Sequence, residues 1–318
     1  MNTHSPDAFD VVEALPDVQS LSVALVGYGE VGRILGAGLA AAGVREVVAF
    51  DVLASDAAWR KAAAARALHD GVRLADTSEE ATSRADLVIC AVTAASTAIA
   101  AEQIALHCAK GAFVLDVNSA SPATKSRCAG MIGNAQGRYV EAAVMTSVPP
   151  HGIRAPMLVG EPHAPVLLPY LQRLGFDATL GSTAFGVVSA TKLCRSVVIK
   201  GMEALVVESL LAARRYGVER EVLASLADTF PGLDWERQAT YFWRRVVAHG
   251  RRRAEEMREA ASMVEDAGIV PHMARATADV QSAIATLRAN RVFDDVAGED
   301  WRDLVDAVHA TTRETTRR

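Results

Sequence analysis

The stretch LSVALVGYGEVG, residues 21–32, decides the fold of this chain. Its first half is a compact apolar run typical of a buried strand, and its second half places glycine at positions 27, 29 and 32. In a GxGxxG turn the first glycine permits the tight bend, the second lets a pyrophosphate approach the backbone, and the third lets the next helix pack on the strand. The N-terminus of that helix faces the negative charge, so we predict that a dinucleotide is bound by Gly27, Tyr28, Gly29, Glu30, Val31 and Gly32. The alternative is a glycine turn that serves only the connection between strand and helix.

A second strand, residues 47–50, is predicted to end at Asp51. An acidic side chain at that place can accept hydrogen bonds from the ribose hydroxyls of the adenosine. A 2′-phosphate would meet a like charge there, and no arginine follows immediately, so NAD is favoured over NADP as the cofactor. The alternatives are NADP as the cofactor and, for Asp51 itself, a solvated strand end.

Short apolar runs alternate with Ala-rich helical stretches as far as about residue 182. Near-continuous apolar strands in such an alternation predict a doubly wound, mostly parallel α/β sheet covered by helices on both faces. Val92 and Thr93 end the fourth predicted strand, and ligands of open α/β sheets bind at the carboxyl ends of strands. We therefore expect these two residues to line the cofactor. The third to seventh strands are predicted at residues 71–74, 86–92, 112–117, 139–144 and 156–159.

From about Thr183 onward the strand pattern ceases and long helical periodicity replaces it. Glycine or proline interrupts this periodicity at Gly217, Pro231, Gly268 and Pro271, as expected of helix ends. The helices are predicted at residues 189–216, 220–229, 235–267, 272–289 and 301–311. We thus predict a polar N-terminal tail (1–20), an α/β dinucleotide-binding domain (21–182) and an all-helical domain (183–318).

Composition excludes several classes of function. The net charge of −5 argues against a nucleic-acid-binding protein, which needs a basic face. No apolar run approaches the about 18 residues that span a bilayer, and the first 20 residues lack the pattern of a secretory signal. The four cysteines form no CxxC pair and no Cys/His metal spacing, so we predict free thiols and no metal site. These features predict a cytoplasmic protein.

A polar stripe lies within an otherwise apolar helical segment, residues 186–203. On a helix Ser189, Lys192, Ser196 and Glu203 fall on one face, and burying such groups is costly unless they are paired or used. Lys192 is one of only five lysines in an arginine-rich chain. A buried lysine can exchange a hydroxyl proton, whereas arginine does not deprotonate. The alternative is a snorkelling lysine or one paired with a carboxylate.

The motifs together resemble the β-hydroxyacid dehydrogenase superfamily, which includes 6-phosphogluconate and 3-hydroxyisobutyrate dehydrogenases. The resemblance rests on GYGEVGRILGAGLAAAG, DLVICAVTAAS, GAFVLDVNSASPATK and the helix that carries Lys192, in that order, and on HGRRRAEEMREAASMVEDAGI, which resembles a phosphogluconate-dehydrogenase-like helical domain. It implies that Lys192 is the general acid/base and that Asn118 and Ser119 contact nicotinamide and substrate. The alternative for Asn118 and Ser119 is an ordinary turn. The resemblance also implies a homodimer formed through the helical domain.

Three positions depart from the pattern of that superfamily. Ser196 stands four residues after the lysine, where the superfamily usually has asparagine. The substrate loop reads EAAVMTS over residues 141–147, so Thr146 or Ser147 is the candidate for a hydroxyl that binds substrate. Ile199 stands where 6-phosphogluconate dehydrogenases have a glutamate. These departures leave the substrate and any decarboxylation open.

A basic segment follows an aromatic cluster in the third predicted helix of the second half. His249 and Arg253 are candidates to bind a substrate carboxylate, because a guanidinium offers two parallel donors to it. The alternative is a solvated face with ion pairs four residues apart, such as Arg252 with Glu256. The nearby aromatic residues are interpreted as core or dimer contacts: Trp235, Tyr241, Phe242 and Trp243.

The sequence therefore predicts an NAD-linked dehydrogenase that interconverts a 3-hydroxy acid and its 3-oxo acid, with Lys192 exchanging the hydroxyl proton. The expected partner is a small-molecule carboxylate, and neither nucleic acid nor a membrane is expected. Two alternatives stay open: an imine reductase of the same architecture, and an NAD(P)-binding sensor without catalytic activity.

Overall fold

The computed structural model describes residues 16–298 and 300–315, so the predicted N-terminal tail lies mostly outside the described residues. The chain forms two units. Among the described residues, the first comprises residues 16–92, 96–118 and 122–189, and the second comprises residues 93–95, 119–121, 190–298 and 300–315. The last strand ends at Ser182, where the sequence places the start of the helical half, and the division between the units falls between Ser189 and Ala190.

An eight-stranded sheet forms the centre of the first unit, in the order β3-β2-β1-β4-β5-β6-β7-β8. Every neighbouring pair is parallel except β6 and β7, which confirms the predicted mostly parallel sheet. Its strands are β1 Ser22–Val26, β2 Glu46–Phe50, β3 Arg73–Leu74, β4 Leu87–Cys90, β5 Phe113–Asp116, β6 Arg138–Val144, β7 Met157–Gly160 and β8 Ala178–Ser182.

Helices cover both faces of this sheet. Along β1, Val23 and Leu25 belong to one buried cluster, and Ala24 and Val26 belong to another. Because successive side chains of a strand point to opposite faces, an all-apolar strand is what two covered faces require. The helices of this unit are α1 Glu30–Ala41, α2 Ala57–Asp70, α3 Ser78–Thr82, α4 Thr97–His107, α5 Pro122–Asn134 and α6 Ala164–Arg173.

The sequence reasoning missed two elements, α3 and β8. Helix α3 is a short helix that begins after Thr77, whose hydroxyl accepts a hydrogen bond from the Glu80 N–H at 3.1 Å. It is too short to show helical periodicity. Strand β8 lies at the edge of the sheet and exposes Thr179 and Leu180, so it lacks the continuous apolar run of the inner strands.

The second unit is helical, as predicted. Its core contains Trp243, Val246 and Trp301, all with no exposed surface, together with Trp235 and Phe242. Helices α9 and α10 approach closely at Gly250, where a Cβ atom would lie 2.7 Å from the carbonyl oxygen of Gln281. The helices are α7 Val187–Tyr216, which begins in the first unit, α8 Glu219–Thr229, α9 Trp235–Asp266, α10 His272–Ala289 and α11 Trp301–Thr315. Within the described residues no helix is both long and apolar enough to cross a membrane.

Candidate functional site

The glycine-rich turn connects β1 to α1. Gly27 has a φ of +97°, and a Cβ atom there would overlap the backbone carbonyl of Ala91, which follows β4. A Cβ atom on Gly32 would overlap the carbonyl oxygen of Gly27 itself. Both positions therefore require glycine for reasons of folding: Gly27 for its left-handed backbone and Gly32 for the close approach of helix and turn.

Gly29 differs from these two glycines. It is exposed, its backbone is extended, and a Cβ atom placed on it would find no protein atom within 4 Å. Gly29 is the N-cap of α1, and its neighbour Glu30 is exposed while Val31 is half-buried. The fold leaves open space at Gly29, next to the free N–H groups of a helix N-terminus. This is the space that a pyrophosphate needs, so the turn fits a dinucleotide.

This contrast predicts different results for two alanine variants. Gly29→Ala is expected to leave the free energy of unfolding nearly unchanged and to weaken nucleotide binding at least about tenfold, because its methyl group occupies the space beside the N-terminus of α1. Gly32→Ala is expected to destabilise the fold by about 1–3 kcal/mol, because of overpacking. Urea unfolding and calorimetric titration with NAD measure the two quantities. Equal nucleotide affinity of Gly29→Ala and the parent chain would contradict the assignment.

Asp51 follows β2 and connects its end to the glycine turn. Its carboxylate accepts hydrogen bonds from the N–H of Tyr28 at 2.8 Å and from the N–H of Leu53 at 3.0 Å. The side chain of Tyr28 is buried and donates from its hydroxyl to Asp70 at 3.1 Å, and burial, with the charge of Asp70, raises its pKa. The side chain of Tyr28 is thus part of the core, while Asp51, which is partly exposed, lies at the strand end where a ribose is bound in this type of fold.

Asn118 joins the ends of β4 and β5. Its Oδ1 accepts a hydrogen bond from the N–H of Val92 at 2.7 Å, and its Nδ2 donates to the sulfur of Cys90 at 3.3 Å. Its own N–H donates to Asp116 at 2.9 Å. The structure therefore brings together two of the predicted cofactor residues, Val92 and Asn118. The side chain of Asn118 is buried and holds the strand ends in place.

A buried group that sequence reasoning missed lies at the end of β5. The Lys125 ammonium, which has no exposed surface, lies 2.8 Å from Oδ1 of Asp116, and the Tyr139 hydroxyl donates to Oδ2 of the same carboxylate at 2.7 Å. Burial raises the pKa of Tyr139 well above its ordinary value, so the phenol stays protonated. Lysine is scarce in this chain, and this is the reason for selecting Lys192. The same argument applies to Lys125 and could have identified it from the sequence.

The predicted polar face of α7 is present and is largely buried. Ser189, Ser196 and Glu203 are buried, and Lys192 is half-buried. The face also contains Lys200, which the sequence reasoning passed over and which is only 6% exposed. Lys192, Ser196 and Lys200 are spaced by four residues and thus share one side of the helix.

Glu256, from α9, is the acidic partner of this face. Its carboxylate forms an ion pair with Lys200 and lies 3.5 Å from the guanidinium of Arg252, the partner expected four residues away. Burial alone would raise the pKa of Glu256, but the charges of Lys200, Arg252 and Lys192 hold it down at about 2. Lys192 therefore lies within electrostatic reach of a permanently ionised carboxylate.

Arg253 and His249, the candidates on α9, have different surroundings. Arg253 is 3% exposed and forms an ion pair with Glu203, which also lies 3.5 Å from Arg245. His249 is half-buried. The guanidinium of Arg253 is thus engaged by a carboxylate of the protein itself.

The remaining substrate candidates lie in loops after strands β5 and β6. Thr146 is exposed, and Ser147 and Ser119 are half-buried. Because β5 and β6 are parallel, their carboxyl ends lie at the same edge of the sheet. Ser119 and Thr93 belong to the segments 119–121 and 93–95 that group with the helical unit, in which the N–H of Ser121 donates to Glu259 at 2.6 Å.

Comparison with known proteins agrees with this arrangement. Residues 22–150 match the family model described as the NAD binding domain of 6-phosphogluconate dehydrogenase, and residues 213–284 match a domain of unknown function, DUF1932. A conserved hypothetical protein from Sinorhizobium meliloti 1021 is 35% identical, with 91% of this chain and 97% of that chain covered and a TM-score of 0.68. A conserved protein of unknown function, described as structurally similar to 3-hydroxyacid dehydrogenases, is 31% identical, with 85% and 98% covered and a TM-score of 0.64.

The fold is also that of 3-hydroxyisobutyrate dehydrogenase from Mycobacterium tuberculosis, at 17% identity, 92% and 99% coverage and a TM-score of 0.65. These two relatives of more than 30% identity are each matched over nearly their whole length. The glycine turn lies within the part of the chain that matches the NAD-binding family model. The chain therefore belongs to the β-hydroxyacid dehydrogenase superfamily, in its 6-phosphogluconate dehydrogenase-like part, and is an NAD(P)-binding oxidoreductase.

Proposed function

We propose that this protein is an NAD-dependent dehydrogenase that interconverts a 3-hydroxy acid and the corresponding 3-oxo acid. The observation that carries this proposal is the position of Lys192, half-buried on the polar face of α7 and within reach of the Glu256 carboxylate. Alcohol oxidation needs a group that takes the hydroxyl proton, and a lysine in such a site can do so. The superfamily resemblance gives the same role to this residue.

The glycine turn and Asp51 would hold the cofactor. The N–H groups at the start of α1 would bind the pyrophosphate, and Asp51 would accept hydrogen bonds from the ribose hydroxyls. When bound, the nicotinamide supplies the acceptor for the hydride of the alcohol carbon. Asp51 would repel a 2′-phosphate, and the nearby Arg33 is already paired with Asp70 at 3.1 Å, so we propose a preference for NAD over NADP.

Lys192 would act as the general base in oxidation and as the general acid in reduction. Ser196, one turn further along α7, would orient the substrate hydroxyl. Ser119, Thr146, Ser147 and His249 stay the proposed contacts of the substrate, because their side chains offer hydrogen-bond donors. Arg253 is not among these proposed contacts, because its guanidinium forms an ion pair with Glu203.

We further propose a homodimer formed through the helical unit. Helix α7 exposes an apolar stripe with Val198 at 60%, Leu205 at 57% and Tyr216 at 82%. These residues are separated by seven and eleven positions and so lie along one side of the helix. A second copy of the chain is the occupant that the superfamily resemblance implies for this face.

We also propose that the protein acts in the cytoplasm. Its four cysteines are free thiols, and two of them, Cys90 and Cys128, are buried in the first unit. Burial raises the pKa of the Cys128 thiol to about 11, which keeps it protonated and unreactive. Free thiols of this kind are typical of a reducing compartment.

A substrate panel tests the proposed reaction. The full-length protein is incubated with NAD, or in parallel with NADP, and a series of 3-hydroxy acids, with 2-hydroxy acids as the chemical control. We expect NADH formation with at least one 3-hydroxy acid and a lower rate with NADP. Turnover of cyclic imines with NADPH alone would indicate an imine reductase instead. Tight NAD binding without any turnover would indicate a sensor.

A further inference from the structure

Two buried glutamates lie beside the start of α7. Glu141 lies on β6, and Glu161 directly follows β7. Glu141 pairs with Gly160, the residue before Glu161, and the two carboxylates accept from N–H groups only two residues apart, those of Val188 and Gly186. Neither residue has any exposed surface. A pair of carboxylates without access to water is costly unless one of them is protonated.

Glu141 caps the N-terminus of α7. Its Oε1 accepts a hydrogen bond from the N–H of Val188 at 3.1 Å, and its Oε2 accepts one from the N–H of Ser189 at 3.3 Å. The first N–H groups of a helix have no partner within the helix, and a carboxylate satisfies both their hydrogen bonding and the positive end of the helix dipole. Glu141 therefore satisfies the first N–H groups of α7.

Glu161 has the opposite surroundings. Its Oε1 accepts one long hydrogen bond, 3.4 Å, from the N–H of Gly186, and its Oε2 is buried without a partner among the described residues. Its backbone has a φ of +81°, a left-handed conformation that a residue other than glycine adopts only at a cost in free energy. Both the strain and the unpaired oxygen need an explanation beyond packing.

The charges that act on Glu161 come from two elements, Glu141 on β6 and Lys125 on α5. Burial, and then the charge of Glu141, raises the pKa of Glu161 to about 7, against smaller opposing effects of the Gly186 N–H and of Lys125. Lys125 is itself paired with Asp116 at 2.8 Å, so the Asp116 carboxylate largely neutralises its charge.

We propose that Glu161 carries a proton near neutral pH beside Glu141 and that the two glutamates act together as positioning residues for the first turn of α7. With the proton on Glu161, a single negative charge faces the helix N-terminus. Without it, two buried negative charges repel each other, and the turn from Gly186 to Ser189 is loosened. Lys192 follows Ser189 by one turn of the same helix, so the pair would set the placement of the acid/base group. This last link rests on the proposed function, whereas the proton on Glu161 does not.

The sign of the pH effect follows from linkage. The native state binds the Glu161 proton more tightly than the unfolded chain, whose carboxyl has the ordinary pKa of 4.5. The stability from this group is therefore complete at pH below 4.5 and is lost as the pH rises to about 7. Glu161→Gln keeps the shape without the charge, so this part of the pH dependence should vanish in that variant.

In the full-length protein, two experiments measure separately the titration of Glu161 and the stability of the first turn of α7. ¹³C NMR of the glutamate carboxyl groups is expected to show one group that titrates near pH 7 in the parent chain and none in Glu161→Gln. Hydrogen exchange of the Val188 and Ser189 amides, corrected for intrinsic rates, is expected to speed up about tenfold or more across that pH range in the parent chain. In Glu161→Gln it should stay constant.

Matched variants complete the design. Glu208→Gln, at an exposed position of α7, should behave as the parent chain does. If Glu161→Gln folds poorly, Glu161→Gly removes the charge at a position whose φ suits glycine. Titration of every glutamate at ordinary pH values, or the same pH-dependent exchange in the parent and the Glu161 variants, would overturn the proposal. Neither readout uses cofactor or substrate, so such a failure would leave the proposed dehydrogenase activity standing, and the reverse also holds.

Discussion

Replacing Lys192 with methionine is expected to lower kcat for 3-hydroxy acid oxidation by about 10²–10⁴-fold and to leave the affinity for NAD unchanged. Methionine keeps the apolar stem of the half-buried side chain but cannot take the hydroxyl proton. The proposed cofactor residues of the glycine turn and Asp51 lie between β1 and α1 and directly after β2, which this substitution does not touch. Steady-state rates with the best substrate of the panel, and calorimetric titration with NAD, measure the two effects.

A second substitution separates proton transfer by Lys192 from the effect of its positive charge, and a third serves as a control. Lys192→Arg keeps a cation near Glu256 but does not deprotonate at accessible pH, so we expect it to be as inactive as the methionine variant. Lys61→Met removes an exposed lysine from α2 and should leave the rate unchanged. Full activity of Lys192→Met would refute the role of Lys192 as acid/base, and full activity of Lys192→Arg would show that only its charge matters.

Most of the fold could be predicted because the inner strands are covered on both faces. The apolar runs at β1, β4 and β5 are continuous, and each is followed by a helix with a clear start. Strand β8 was missed because an edge strand with exposed Thr179 and Leu180 carries no such run. The same local reasoning correctly places the long helices of the second half, whose ends are marked by glycine and proline.

The candidate site could be predicted only in part. The glycine turn is local, so its fit to a nucleotide follows from twelve consecutive residues, 21–32. The ionic partners of the polar face of α7 lie on α9, 42 to 56 residues away in the chain, and no spacing rule connects Lys200 to Glu256. Likewise, the use of Asn118 to join two strand ends depends on the neighbouring strand β4. Such pairs become visible only when the topology is known.

The second large effect is expected at the buried ion pair between Glu203 on α7 and Arg253 on α9. Their side chains are 1% and 4% exposed, so removing one partner leaves an uncompensated buried charge. We expect Glu203→Leu and Arg253→Met each to lower the free energy of unfolding by about 3–5 kcal/mol. Urea unfolding followed by circular dichroism measures this loss, and Glu208→Gln, at an exposed position of the same helix, is the control without an expected effect.

The double variant Glu203→Leu with Arg253→Met distinguishes a structural from a substrate-binding role for Arg253. Replacing both partners by apolar groups of similar size restores the balance of charge, so most of the lost stability should return. If Arg253 serves only to hold α9 against α7 through Glu203, the double variant should also keep the KM of the parent chain for the hydroxy acid. A stable double variant with a KM raised tenfold or more would instead place the Arg253 guanidinium on the substrate carboxylate, since a lost charge-assisted contact weakens binding by about that factor. The stability and the KM of one protein thus decide between the two roles.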